Sequence, residues 1–278
     1  MFTPARALSV ALAMPLTLTV NAQAQSASDI LNQMLSEYER RSQVVENYTI
    51  VQETMGVETV TYFEKETVDG RPVFRLRSTR AAGMVVTEHD SEADGWDEFY
   101  SLAPQMISRA EYRGRDQIEG RAVHVVVVND LHEIGFGQGP APEDADFRPE
   151  RGTFYVDADQ WVVRRMEFEG SMITEGETHD VKSIADFSDF REIDGMLHPF
   201  LLDVTIEGFG EAMDPEMREQ LEEMKRELEQ MPEAQRKMVE QMMRAQIENL
   251  EQMSEEGSMK IQIKVKELRV NSGPPGDL

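Results

Sequence analysis

Between residues 47 and 207 the chain is a succession of short runs rich in Val, Thr, Tyr and Phe, cut at close intervals by turn signals. Val68-Asp69-Gly70, Ile118-Glu119-Gly120 and Ile193-Asp194-Gly195 each set an acidic residue and a glycine where a tight hairpin loop needs positive φ angles. Asp157-Ala158-Asp159 is a further turn of this kind. Such loops join antiparallel neighbours, so the chain is predicted to be an antiparallel meander. Strands are expected near residues 47–55, 58–68, 72–80, 83–90, 111–118, 121–129, 152–157, 161–169, 180–191, 197–207 and 258–270. The last is the sharpest, because Met259, Ile261, Ile263 and Val265 alternate with Lys260, Gln262, Lys264 and Lys266. A meander with one apolar face per strand must close into a barrel or fold over onto something apolar, since a flat sheet would leave that face in water.

Part of the cover is legible at the N-terminus. Leu31, Met34, Leu35, Tyr38 and Val45 recur at helical spacing, with Ser28 or Asp29 as the expected N-cap. Ahead of them, residues 1–24 read as a cleavable secretory leader: Arg6, an apolar run from Ala7 to Val20, then Ala22-Gln23-Ala24 as a small-x-small cleavage signature. The apolar run contains Pro15 and falls short of the roughly 20 residues that span a bilayer, so no transmembrane anchor is expected. The 278-residue chain has no cysteine, which excludes disulfides, thiol nucleophiles, cysteine-ligated metals and lipidation of an N-terminal cysteine. A soluble, unlipidated periplasmic protein is the expected product.

The formal charge is −25, from 28 basic and 53 acidic side chains. Such a surface repels phosphate backbones, so nucleic acid is not an expected partner. Late in the chain, between the strands ending near 207 and beginning near 258, residues 211–256 read as an inserted pair of helices bent at Pro232. Met217, Leu221, Met224, Leu228 and Met231 share one face of the first, and Met238 continues the seven-residue methionine spacing. Val239, Met242, Met243, Leu250 and Met253 approximate a stripe on the second. Residues 25–270 are expected as one domain and 271–278 as a frayed tail.

Catalytic motifs are not found. His89, His124, His132, His179 and His198 show no metal-ligand spacing, and GxSxG, SxxK and Walker patterns do not occur. His124, inside AVHVVVV, reads as a packed histidine. Gly135-Phe136-Gly137-Gln138-Gly139 is followed by Pro140-Ala141-Pro142 where a phosphate-binding helix would begin, so residues 134–147 are expected as a loop. Asp157-Ala158-Asp159 lacks the later ligands and glycine of a calcium loop. No metal, cofactor or catalytic group is assigned.

Four stretches resemble the LolA/LolB-like superfamily, in particular the outer-membrane lipoprotein-sorting proteins: ILNQMLSEYERRSQVVENYTIVQE, ADGWDEFY, GTFYVDADQWVVRRMEFEG and FSDFREIDGMLHPFLLDVTIEG. The resemblance implies an incompletely closed antiparallel β-barrel lidded by helices, whose apolar cavity holds acyl chains of lipoproteins in the periplasm. It also implies a lid-holding arginine, for which Arg71 in Arg71-Pro72-Val73-Phe74 is the nearest match, with spacing one residue short. The late helical insertion departs from the housekeeping carrier.

Three functions compete. The first is a non-enzymatic lipid or lipoprotein acyl-chain carrier, with Met217, Leu221, Met224, Leu228, Met231, Met238 and Met242 together with Trp96, Trp161 and Phe168 as candidate ligand contacts. The second is an envelope sensor or scaffold of the same fold that engages a protein partner through the inserted helices. The third, a secreted hydrolase, needs a clustered acid-base pair or metal that the sequence does not display.

Overall fold

The computed structural model describes residues 25–68, 70–81, 84–87, 96–135, 145–174, 177–208, 226 and 257–276. The expected leader (1–24) and nearly all of the expected helical insertion (211–256) lie outside the described residues.

Helix α1 spans Ala27–Ser42. Its N-cap is Ser26, one turn earlier than Asp29: the Ser26 hydroxyl accepts from the Asp29 amide (3.1 Å) and the Asp29 carboxylate accepts from the Ser26 amide (3.0 Å), a reciprocal capping box. Val45, expected on this helix, lies beyond its end and is buried there. Ile30, Leu31, Met34 and Leu35 are buried along one face. At roughly 1.5–3 kcal/mol for each fully buried side chain, that stripe is what docks the helix.

The strands are β1 (Asn47–Thr54), β2 (Val57–Val68), β3 (Arg71–Ala81), β4 (Met84–Thr87), β5 (Ala110–Ile118), β6 (Arg121–Asn129), β7 (Ala145–Asp157), β8 (Val163–Thr174), β9 (Glu177–Ile193), β10 (Met196–Glu207) and β11 (Ser258–Val270). All eleven form one sheet in the order β4-β3-β2-β1-β11-β10-β9-β8-β7-β6-β5, with every neighbouring pair antiparallel. Among the described residues β4 and β5 do not pair, so the sheet is an incompletely closed barrel. Two-residue loops make the tightest corners: Glu119-Gly120 (φ 50° and 79°) and Asp194-Gly195 (φ 48° and 89°) take the two positive φ angles expected of them.

Two further features depart from the sequence reading. A second helix, α2 (Trp96–Met106), lies between β4 and β5; Pro104 and a dense aromatic content hide it from helical patterning. It lies between the two edge strands and, through Phe99, Tyr100, Ala103 and Met106, supplies cover that α1 alone does not. Second, the segment expected as a loop through Phe147 is partly strand, since β7 starts at Ala145. The β7–β8 ladder continues past Pro149, with a register shift between Pro149 and Arg151. Pro149 is opposite Gly170, where a Cβ would lie 2.2 Å from the Arg148 carbonyl oxygen. Only glycine allows the two backbones to approach that closely.

β10 and β11 are neighbours, with Glu207 opposite Ser258, so the chain between them leaves and re-enters at adjacent strand ends. At the opposite end, the first residues of the expected tail are anchored: the Asn271 side chain accepts from the Glu46 amide (2.7 Å) and donates to the Val44 carbonyl (2.8 Å). The Gly273 amide donates to Asn47 (2.9 Å).

Candidate functional site

An eleven-stranded sheet encloses more space than strand side chains can fill, because about eight strands is the size at which they just meet. Here the interior is divided. One apolar cluster packs α1 and α2 against β6 to β9, through Ile30, Leu31, Met34, Phe99, Met106, Val126, Phe154, Met166 and Phe187. A second joins β1, β2, β3, β10 and β11 through Tyr48, Ile50, Phe63, Phe74, Leu76, Phe200 and Leu268. Tyr38 of α1 stacks on Tyr100 of α2 with ring centres 4.2 Å apart, tying the helices together.

Between the clusters lies a cavity of about 540 Å³. Its wall takes Tyr48, Ile50 and Gln52 from β1, Thr59, Thr61 and Phe63 from β2, and Leu76 and Thr79 from β3. Ile263 and Val265 come from β11, His198, Pro199 and Leu202 from β10, and Phe187, Met166 and Phe168 from β9 and β8; Phe99 of α2 closes one side. The space has a local cause: where Phe63 and Leu76 fill the β2–β3 hairpin, Thr59, Thr61 and Thr79 are short and leave room. Among the described residues no Asp, Glu, Lys or Arg side chain lines the cavity. Its size and apolar wall suit a small apolar ligand.

His198 is buried at 5 % exposure, and burial pushes its pKa from 6.5 down to about 4, so the ring is neutral at pH 7. Its Nδ1, and Oγ1 of Thr59, are the buried side-chain atoms left without a hydrogen-bond partner among the described residues. His124 differs: its Nδ1 lies 3.2 Å from the Tyr112 hydroxyl and its ring stacks on Trp161. Burial, followed by the nearby Arg115 charge, lowers its pKa as well.

A second groove, of about 470 Å³, runs between α1, α2 and the β2–β3 hairpin, lined by Leu35, Tyr38, Val73, Tyr100 and Leu102 among others. Arg71 stands on its rim and pairs with Glu39 of α1, Nε to Oε1 3.2 Å. Of the other sequence candidates, Phe168 is in the cavity wall, whereas Trp161 sits in the β7–β8 turn at φ 54° against His124 and is not part of that wall. Trp96 is the first residue of α2. Met217, Leu221, Met224, Leu228, Met231, Met238 and Met242 lie outside the described residues. His198, Thr59 and Gln52 were not singled out from sequence. The mark that could have found His198 is its setting, a lone imidazole in the apolar stretch MLHPF.

Asp157 is the turn residue it was read as. Its Oδ1 accepts from the amides of Asp159 (2.9 Å) and Gln160 (2.8 Å), and its Oδ2 from Arg164 Nε (2.9 Å). Those bonds occupy the carboxylate that a calcium ion would need. Among the described residues no group of three or more His, Asp or Glu side chains is placed to hold a metal, and no helix is long and apolar enough to cross a membrane.

The fold and cavity define a helix-covered, open antiparallel barrel with a largely apolar cavity, the architecture that the LolA/LolB-like resemblance implies. No family model matches the chain, and no curated protein matches it. Among solved structures it is similar to a putative outer membrane lipoprotein-sorting protein domain from Vibrio parahaemolyticus, at 7% identity over 89% of this chain and 96% of that one, TM-score 0.38. It is also similar to a DUF1329 family protein from Desulfovibrio piger, at 12% identity over 90% and 93%, TM-score 0.39. A looser match, at 13% identity over 68% and 82% and TM-score 0.23, is to the MucA/MucB complex of Pseudomonas aeruginosa. Superpositions this loose carry no argument about function; the architecture stands on its own strand order and register.

Proposed function

We propose that the protein is a non-enzymatic carrier that holds lipid or lipoprotein acyl chains, in an extracytoplasmic space and in the service of sorting lipoproteins to an outer membrane. The observation that carries this reading is the uncharged cavity of about 540 Å³ between the two clusters. A folded interior is normally packed to crystal-like density, and an open apolar volume of this size forgoes contacts that a ligand chain would restore. Arg71, through its pair with Glu39, is assigned the part of a tie between the β2–β3 hairpin and α1. The methionines between β10 and β11, Met217, Met224, Met231 and Met238 foremost, are proposed to add adaptable apolar contact to the bound chain.

Native mass spectrometry of gently purified protein should show a co-purifying lipid; protein that is consistently empty and takes up no fluorescent fatty acyl probe would rule the carrier out. Filling the cavity is the matching mutational test. Leu202 and Ile263 are register partners in its wall, and Leu202→Trp or Ile263→Trp is expected to weaken probe binding at least about tenfold. The unfolding midpoint should hold, because the added ring occupies existing space. Unchanged binding in both variants would place the chain elsewhere.

A further inference from the structure

Strand register lays out one wall of the cavity in rows. Across β1 and β2 the first is Gln52 and Thr59; the second is Ile50, Thr61 and Thr79, and the third Tyr48, Phe63 and Leu76, both reaching into β3. The first two rows carry short threonines and leave space. The third is solid: Tyr48 stacks on Phe63 with ring centres 4.7 Å apart and meets Phe74 edge-on at 5.0 Å. Behind it Val45, Phe74, Leu268 and Val270 are buried in the same cluster. The cavity therefore has a floor, set by the change from threonine to phenylalanine and leucine along a single hairpin. Away from the floor the wall runs one row past Gln52, where Leu202 of β10 is opposite Ile263 of β11 at the level of Thr54.

Depth and volume give the capacity. From the level of Thr54 to Tyr48 strand β1 covers about 20 Å, at about 3.4 Å per residue. An extended alkyl chain advances about 1.2 Å per carbon, a third of what the three backbone bonds of one residue span, so this depth matches about 16 carbons. The volume agrees: a methylene fills about the space of a water molecule in the liquid, roughly 30 Å³, so 540 Å³ holds about 18 of them. A second chain would need as much space again. A polar head pressed against the aromatic floor would be desolvated without a partner, whereas a terminal methyl loses nothing there. We propose, resting on the acyl-chain reading of this cavity, that it takes one linear acyl chain of up to about 16–18 carbons, methyl end first, and that Tyr48, Phe63 and Leu76 set the length limit. A free fatty acid, a lysophospholipid or one chain of a lipoprotein presents that chemistry.

The test is native mass spectrometry of the full chain with an equimolar series of saturated lysophosphatidylcholines, from about 10 to about 22 carbons so as to bracket the limit, repeated with free fatty acids of the same lengths. One ligand per protein is expected, with preference rising about threefold to fourfold for each added methylene until the gain stops at about 16–18 carbons, at the same length for both heads. Thr79→Leu puts a larger side chain one row above the floor and should shorten the limit by about two to five carbons. Leu76→Ala lowers the floor and should lengthen it by about two; if the alanine variant does not fold, Thr79→Leu carries the test. A limit that stays put in the folded variants, a preference still climbing at the longest chain, or a limit that differs between the two heads would overturn the floor assignment. Two chains per protein, or dipalmitoyl phosphatidylcholine held more than about tenfold tighter than the palmitoyl lysophospholipid, would overturn the single-chain capacity while leaving the carrier reading intact. If no member of either series binds, the carrier reading and the length limit fall together.

Discussion

Asp157→Ala is expected to destabilise the protein by about 3–5 kcal/mol, the usual consequence of removing one partner from a buried ion pair. Asp157 is 1 % exposed, and Arg164, its partner at 2.9 Å, is 8 % exposed at its side chain. Burial by itself would raise the Asp157 pKa; the amides of Gln160 and Asp159 and the Arg164 guanidinium outweigh it and hold the carboxyl below its ordinary 3.8. Alanine would free two turn amides and strand a guanidinium that otherwise bonds Asp157 and Gln160 and lies over the Phe190 ring, 4.3 Å from its centre. Urea unfolding at pH 7 measures the loss. Asp157→Asn, which keeps acceptor oxygen but not charge, should fall between wild type and alanine. Asp189→Ala breaks an exposed pair with Arg191 and should lie within error of wild type. A small effect for Asp157→Ala would mean that the β7–β8 turn is held by its strands alone.

Acid should expose His198. Its folded pKa, about 4, lies below the ordinary 6.5, so above pH 6.5 the ring is neutral in both states and no penalty applies. As pH falls from 6.5 toward 4 the unfolded chain binds a proton that the folded chain refuses, and stability drops by about 1.4 kcal/mol per pH unit, about 3 kcal/mol across the window. Below about pH 4 both states are protonated and the loss stops growing. Carboxylates with lowered pKa, and His124, add acid sensitivity of their own, so the readout is the difference between wild type and His198→Phe. In urea unfolding at a series of pH values, the variant's curve should lack that portion of the slope. Parallel curves would show that water reaches the ring. Arg191 is its cross-strand register partner on β9, and Arg191→Gln should leave the His198 slope in place because burial sets the shift.

The distribution of legible and illegible features follows from the range of the interactions involved. Hairpin turns are local: a glycine after an acidic residue permits the φ pair a two-residue loop requires, so eleven antiparallel strands could be anticipated from 47 to 270, whereas the β1–β11 pairing and the break between β4 and β5 could not. The alternation in β11 marked its wet and buried faces in the same way. Helix α2 escaped because its buried residues, Phe99, Tyr100, Ala103 and Met106, earn their place through contact with α1 and β7, and Pro104 argues locally against a helix. Strand β7 was shortened in the sequence reading, which began it at 152 after a Gly- and Pro-rich loop over 134–147; the opposing Gly170 lets the ladder run on past Pro149.

The site divides along the same line. Phe168 is found in the cavity, while Trp161, equally conspicuous as a large aromatic, turns out to cover His124. Of the polar residues in its wall, His198 had a local mark in the stretch MLHPF, whereas Gln52 and Thr59 had none. By itself the sequence determined an antiparallel, helix-covered meander with an acidic surface and no thiol chemistry, because pattern, turn geometry and composition act between near neighbours or by summation. Tertiary structure alone decided that the two clusters leave a gap, and that His198 and Thr59, 139 positions apart, share its wall. Cavities and unpaired atoms are properties of packing, set by what fails to arrive from distant parts of the chain.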